Sequence, residues 1–201
     1  MRLVIILPAL TIHEFAHAYS ADKMGDPTAR LMGRMTLNPL AHIDPIGTIL
    51  VPIFFRFGWA KPVPVNPMNF RNPRRGSLIT SAAGPAANVM LALVIGIGLR
   101  ITIALAPTGW ALGNQTVSVL FMWTYVNLIL AIFNLIPLGP LDGHHIVEAL
   151  LPYHQLQRYR SFNRYGMFIL FGVMFLARPL FDAIVFAPAY AIATLLSGPI
   201  G

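Results

Sequence analysis

Apolar residues run along most of this chain in long blocks, which are separated by short polar and basic segments. A block of about 20 apolar residues is long enough to cross the hydrocarbon core of a bilayer as a helix. Such blocks predict helices over residues 3–24, 77–106 and 117–136, and shorter blocks predict C-terminal helices within 166–197. The pattern therefore predicts an all-α polytopic membrane protein, a bundle of transmembrane helices.

The loop over residues 28–76 has a different pattern. Its apolar part, Ile46 to Phe55, is too short for a span, and stretches of about 10–14 residues indicate re-entrant or interfacial pieces. Residues 31–37 alternate imperfectly between apolar and polar side chains, as a short strand does. Residues 63–66 lie in an extended, proline-rich segment. We expect a re-entrant segment and short membrane-associated β-strands in this loop.

Composition supports the membrane assignment and narrows the partners. The 201 residues are 56% hydrophobic and only 10% charged, whereas soluble domains are about 25% charged. The length predicts a single intramembrane domain over residues 1–201. The net charge of +7 would suggest nucleic acid in a soluble protein. Here the basic residues lie beside apolar spans, where they set topology and touch anionic lipid, so we expect a bilayer and no nucleic acid.

The basic residues also predict an orientation. If residues 46–55 re-enter, most of the basic residues lie on one side, and the uncharged loop after Pro107 lies on the other. The positive-inside rule makes the basic side cytoplasmic and the N-terminus external. Cysteine is absent, which excludes disulfides and thiolate metal ligands.

The main candidate chemistry is the motif His13-Glu14-Phe15-Ala16-His17, inside the apolar run from Leu3 to Ala21. Residues four apart share one helix face, so His13 and His17 can grip one metal ion. Imidazole suits zinc, which acidifies water, and Glu14 is placed to act as general base. The alternative is a pair of hydrogen-bonded core histidines. Ionisable residues in the middle of a span are costly, which favours function.

A catalytic zinc site needs a third protein ligand. The leading candidate is Asp142, which emerges from a break over residues 137–143 that follows the third predicted helix. Irregular backbone at membrane depth is tolerated where it is buried or lines a cavity. Alternatively, Asp142 only caps a short helix. His144, His145 and the loop residue His42 are competing ligands.

Two amides lie at membrane depth, Asn134 and Asn88. Asn134 approaches the break, so it has a reason to face the site and pair with a substrate backbone. Asn88 lies three residues after Pro85, which frees a helical carbonyl. It has a local structural reason to exist, and both an interhelix hydrogen bond and a substrate contact remain open for it.

These residues resemble the site-2 protease family of intramembrane zinc metalloproteases. The histidine motif corresponds to the family's zinc-binding helix. Two further segments are similar to family signatures: Asn134-x-x-Pro137-x-x-x-Leu141-Asp142-Gly143, whose aspartate is the third ligand, and Gly84-Pro85-x-x-Asn88, on the helix between them. The match covers most of the chain.

The resemblance implies a zinc-dependent endopeptidase that cleaves the transmembrane helix of a membrane-protein substrate. It implies one Zn²⁺ per chain, with Glu14 as the catalytic base and Asn134 holding substrate backbone near the metal. We expect a prokaryotic cell membrane, with the site toward the cytoplasm. We expect the chain to differ from longer members in lacking a PDZ-like or nucleotide-sensing domain and a span before the zinc helix, and we expect no nucleotide partner. The rivals are a zinc transporter and an inactive membrane chaperone.

Overall fold

The structure is a computed structural model that describes residues 2–44, 47, 60–107 and 114–198. Those residues are mostly helical and contain no β-strand. The α-helices are α1 (Arg2–Met24), α2 (Thr28–Leu31), α3 (Pro73–Leu105), α4 (Gln115–Asn134), α5 (Asp142–Leu150), α6 (Tyr153–Asn163), α7 (Gly166–Phe175) and α8 (Arg178–Ser197). Within α8, Asp182–Phe186 forms a π-helical turn.

The chain divides into two compact units, Met1–Gly84 and Pro85–Gly201, and the boundary falls inside α3. The first unit contains α1, α2, the loop after them and the first turns of α3. The second unit contains the remainder of α3 and all later helices. Asn72 starts α3, because its side chain accepts a hydrogen bond from the backbone N–H of Arg75 at 3.0 Å.

The buried carboxylate of Asp26 organises the loop of the first unit. It accepts hydrogen bonds from the Asn66 backbone N–H at 2.6 Å, from the Asn69 amide at 2.8 Å, and from both the N–H and the hydroxyl of Thr28. Asp26 lies two residues after the end of α1, so these bonds tie Asn66 and Asn69 to that helix end.

The strand prediction for residues 31–37 is wrong. Leu31 ends α2, and Gly33 adopts φ +66°, which interrupts an extended run. The Arg34 backbone N–H donates to the Ala29 carbonyl at 2.8 Å, as at a helix end, so this donor is satisfied locally. Residues 63–66 have no regular secondary structure. The predicted re-entrant segment, Ile46 to Phe55, lies outside the described residues apart from Gly47.

Three of the described helices are long and apolar enough to cross a membrane: α3, α4 and α8. On α3, an exposed apolar stripe recurs at helical spacing and comprises Met90, Leu93, Val94, Ile97 and Ile101. Exposed apolar stripes of this kind face lipid in a membrane protein. The prediction of a multi-helix membrane protein is therefore confirmed. α1 is long enough as well, but its central polar residues lower its hydropathy.

Small residues bring the helices of the second unit together. Ala92 on α3, Leu128 on α4, and Ala189 and Ala193 on α8 form a buried cluster. Between the same helices, a Cβ added at Gly96 would lie 2.8 Å from the Leu196 Cβ. Lipid tails are as apolar as these side chains, so close packing is what favours association of the helices.

The predicted helix bounds are close to those observed. α1 matches 3–24, α3 begins four residues before 77, and α4 ends at Asn134, two residues before the predicted end. The break therefore covers residues 135–141. The polar segment after it, which no apolar period marks, forms helix α6.

Candidate metal centre

His13 and His17 lie on α1 one turn apart, and both are buried. Their Nε2 atoms face each other at 3.0 Å, and their rings meet nearly at right angles, with an interplanar angle of 82°. The pairing follows from the spacing of four residues, which places both side chains on one helix face. The two imidazoles therefore converge within the first unit.

The tautomer of His17 is set by a carbonyl on α3. Nδ1 of His17 lies 2.7 Å from the carbonyl oxygen of Thr80. A carbonyl only accepts, so Nδ1 carries the proton and donates it. The Nε2 lone pair of the neutral ring is then directed toward His13. Metal-binding histidines commonly have this arrangement, in which one nitrogen is held by a backbone carbonyl while the other coordinates.

Gly84 leaves the space that the two rings occupy. A Cβ at this position would lie 2.3 Å from Nε2 of His17 and 2.7 Å from Cε1 of His13. Both distances are well inside van der Waals contact, and a buried helix backbone cannot easily shift. Glycine is required here by the histidine rings rather than by backbone conformation.

Glu14 is held by the extended segment after residue 60. Its Oε2 accepts a hydrogen bond from the backbone N–H of Val63 at 2.8 Å. This segment is anchored nearby, because the Lys61 N–H donates to the His42 carbonyl at 2.9 Å and the Arg34 guanidinium donates to the Lys61 carbonyl at 2.7 Å. The carboxylate thus has a fixed backbone donor at one oxygen.

The donor set of the first unit fits zinc. Two nitrogens bound to one tetrahedral zinc ion lie about 3.4 Å apart, and the two Nε2 atoms lie 3.0 Å apart. One of the rings already has the tautomer that coordination needs. His42 has another role, since its Nε2 is 2.9 Å from the Thr36 carbonyl in its own loop.

Asp142 belongs to the second unit, where it opens α5 immediately after the break. The following residue, Gly143, packs directly against the end of α4: a Cβ there would lie 2.3 Å from the Leu135 carbonyl oxygen. Asp142 therefore emerges from a tightly packed turn. His144, His145 and Glu148 form a second group whose ligand atoms lie within 4.8 Å of one another.

The two membrane amides have different surroundings. Asn88 is fully buried, and its Nδ2 donates to Oδ1 of Asn127 on α4 at 2.8 Å. Asn127 in turn donates to the Trp123 carbonyl at 2.9 Å. Asn134 is partly buried and donates to the Leu130 carbonyl of its own helix at 2.8 Å. An interhelix bond is therefore present at Asn88, while Asn134 bonds locally.

Comparison with known proteins identifies the family. A model described as Peptidase family M50 matches residues 97–177. The protein named "Putative zinc metalloprotease YwhC" of Bacillus subtilis is 40% identical over 177 residues, which are 86% of this chain and 78% of that protein. The chain belongs to peptidase family M50. The resemblance to site-2 proteases is thereby confirmed.

Two further relatives are matched over a smaller share of their own length. "Putative zinc metalloprotease Rip2" of Mycolicibacterium smegmatis is 30% identical over 149 residues, 72% of this chain but 55% of that protein. "Zinc metalloprotease MJ0392" of Methanocaldococcus jannaschii is 25% identical over 148 residues, 74% of this chain and 33% of that protein. No solved structure gives a significant match.

Three features of this M50 site had no clear sequence signal. The Thr80 carbonyl and the Val63 N–H act through backbone atoms, which residue types do not reveal. Gly84 was visible in the sequence only as part of the segment Gly84-Pro85-x-x-Asn88, which does not reveal that it leaves space for two histidine rings.

Proposed function

We propose that this M50 peptidase hydrolyses peptide bonds within or near transmembrane segments of membrane proteins, with one zinc ion held by His13, His17 and Asp142. The observation that carries the proposal is the histidine pair, whose Nε2 atoms face each other at 3.0 Å with one tautomer fixed by Thr80. The family and its relatives are peptidases and metalloproteases, which does not favour a transporter or an inactive chaperone.

Asp142 is proposed as the third ligand on three grounds. A carboxylate oxygen suits zinc. The residue opens α5 directly after an irregular segment next to the membrane helices. Its sequence context, Leu141-Asp142-Gly143, resembles the second family signature, and Gly143 has a packing reason to be glycine.

The chemistry is divided between the ion and the chain. A zinc ion held by these residues would supply Lewis acidity, which would acidify water and polarise a scissile carbonyl. Glu14 takes the proton of the attacking water and delivers it to the departing amine nitrogen. The Val63 N–H holds one carboxylate oxygen of Glu14, so the other oxygen can face the water.

The substrate we propose is a membrane-protein helix that is locally opened. A helix hides its carbonyls in its own hydrogen bonds, so cleavage requires extended substrate backbone. Residues 63–66 offer backbone groups for pairing with an extended segment, and the Asn134 amide is proposed to bind substrate near the metal. Asn88 is bonded to Asn127, which favours a structural role for it over the substrate contact.

We further place the protein in a prokaryotic cell membrane with the site toward the cytoplasm. The support for the orientation is the clustering of basic residues over residues 23–75 and 158–164. Single cysteines at positions 30, 74 and 114 can be labelled with an impermeant thiol reagent, since the native chain has no cysteine. Positions 30 and 74 are expected to be cytoplasmic and position 114 external; labelling of 30 and 74 from opposite sides contradicts this.

The activity is tested by cleavage of a model transmembrane substrate with purified protein in detergent. We expect Glu14→Gln to abolish cleavage and to retain one zinc per chain, because Glu14 moves protons but does not hold the ion. Asp22→Asn is the matched control, since Asp22 lies two turns further along α1 in a surface ion pair with Arg30, and such pairs are worth about 0–1 kcal/mol. Cleavage that persists in the Glu14 variant overturns the assignment.

A further inference from the structure

The break before Asp142 is held by α6, a helix that the proposed chemistry does not use. α6 is polar, and none of its residues is buried. Tyr159 and Asn163 are four residues apart, so they share one face of this helix. Both side chains reach back to the segment that leads to Asp142.

Asn163 bonds on both sides of Asp142. Its Oδ1 accepts a hydrogen bond from the Gly139 backbone N–H at 2.9 Å, and its Nδ2 lies 2.8 Å from Nδ1 of His144. The side chain thus connects the backbone three residues before Asp142 with the imidazole two residues after it. Tyr159 adds a second bond, from its hydroxyl to the Pro137 carbonyl at 3.0 Å.

Packing fixes the amide in this position. Gly139 adopts φ +61°, a left-handed conformation that favours glycine. A Cβ at Gly166 would lie 2.5 Å from Oδ1 of Asn163 and 2.5 Å from the Gly139 nitrogen. Glycine at position 166 therefore allows the start of α7 to close over the hydrogen bond between Asn163 and Gly139.

The same bonds argue against a second metal site at His144, His145 and Glu148. The Gly139 N–H can only donate, so the side-chain atom of Asn163 next to it must be the amide oxygen. The amide nitrogen, Nδ2, therefore faces His144. Nδ2 only donates, so Nδ1 of His144 accepts, and the neutral ring carries its proton on Nε2. Neither nitrogen of His144 then offers a free lone pair. Glu148 is also engaged, because Arg160 donates to it at 2.7 Å.

We infer that Asn163, assisted by Tyr159, is a positioning residue that holds the turn carrying Asp142 in the geometry for metal binding. The inference rests on the proposed function, because it takes Asp142 as a zinc ligand. Mutation of a group that orients a metal ligand without binding the metal typically lowers metal affinity by about 10–100-fold. The contribution of such a group comes from ordering the turn before the metal binds.

The test measures zinc affinity of the purified full-length protein in detergent, by competition with a chromophoric chelator. We expect Asn163→Ala to weaken affinity by about tenfold or more and to shift the visible spectrum of the cobalt-substituted protein. Asn163→Asp should restore affinity to within about threefold, because a carboxylate accepts both from Gly139 and from the other tautomer of His144. The control is Gln157→Ala, an exposed amide on the same helix, which should leave affinity and spectrum unchanged.

Three outcomes overturn the inference. One is an affinity of Asn163→Ala within twofold of the Gln157 variant. Another is a fall in affinity in Asn163→Ala that Asn163→Asp does not restore, together with a lower melting temperature of both metal-free variants. That result would indicate general destabilisation. The third is unchanged affinity in Asp142→Asn, measured in parallel. If wild type and Asn163 variants bind zinc as expected but wild type cleaves no substrate, the proposed function fails and the positioning role stands.

Discussion

The two parts of the proposed site are built in different ways. His13 and His17 project from the unbroken helix α1, and their convergence follows from a spacing of four residues. Asp142 follows an irregular segment, residues 135–141, whose shape depends on hydrogen bonds with Tyr159 and Asn163 of α6, which lie 22 and 24 residues after their partners in the chain.

This difference determines where each part is vulnerable. A helix fixes the direction of its side chains through backbone bonds that any non-proline residue can make. Substitutions away from α1 should therefore harm the histidine pair only where they enter its space or remove a bond to it. The turn before Asp142 has few regular backbone bonds, so remote side chains decide its geometry.

The largest expected effect on zinc binding and cleavage comes from replacing Asp142, the proposed ligand that follows the irregular segment. Asp142→Asn should weaken zinc binding and bring cleavage below detection, because an amide oxygen carries no charge to compensate the ion. Zinc content is measured by atomic absorption, and cleavage with a model transmembrane substrate. His145→Ala is the control, since His145 is exposed on the same helix. Full zinc in the Asp142 variant with loss in the His145 variant would reassign the ligand.

The helical part should be most sensitive at Gly84. In Gly84→Ala the new methyl group would lie 2.3 Å from Nε2 of His17, and we expect a loss of about 100-fold in turnover together with reduced zinc content. Gly98→Ala is the matched control, because Gly98 lies on the same helix and a Cβ there has no atom within 4 Å. Equal activity of the two variants would show that the rings have room to move.

Orientation of the general base is tested at Val63. Val63→Pro removes the backbone N–H that donates a hydrogen bond to the Glu14 carboxylate. A positioned general base contributes about 10²–10⁴-fold to the rate. We expect the loss of this bond to remove part of that contribution, so that kcat falls by about tenfold while KM and zinc content change little. The control is Val65→Pro, which introduces a proline into the same extended segment but leaves the hydrogen bond from Val63 to Glu14 in place. A KM effect shared by both variants would instead indicate a general change in the segment.

Substitutions of Asn134 and Asn88 distinguish a role in substrate binding from a role in helix packing. We expect Asn134→Ala to reduce turnover several-fold at unchanged zinc content and melting temperature. Asn88→Ala should cost about 1–2 kcal/mol of stability, typical of interhelix hydrogen bonds in membranes, because it leaves Asn127 without its donor. Early melting of the Asn134 variant would make that residue structural.

The smallest effect on activity is expected at Asp26. Burial alone would raise the pKa of the Asp26 carboxyl, but hydrogen bonds from Thr28, Asn69 and Asn66 outweigh it and hold the pKa below its usual value. A depressed pKa stabilises the folded state above the unfolded value of about 3.9, and this contribution is lost as pH falls through the folded pKa. Asp26→Asn should therefore melt earlier than wild type at pH 7, and the difference should shrink below about pH 4. A constant difference across this range would contradict the assignment.

Some predictions from the sequence failed for identifiable reasons. Residues 31–37 alternate like a strand, but Gly33 and local bonds from the end of α2 turn the chain. α6 is polar and none of its residues is buried, so the pattern of hydrophobic positions did not mark it as a helix.

The sequence alone determined the helices of bilayer length, the histidine pair and the candidate aspartate. Each depends on hydrophobicity or on local periodicity, which are properties of neighbouring residues. Only the tertiary structure decided that Gly84 makes room for the histidine rings, that Thr80 sets a tautomer, and that Asn163 bonds on both sides of Asp142. These depend on backbone atoms and on residues distant in the chain, and their positions are fixed only when the helices pack.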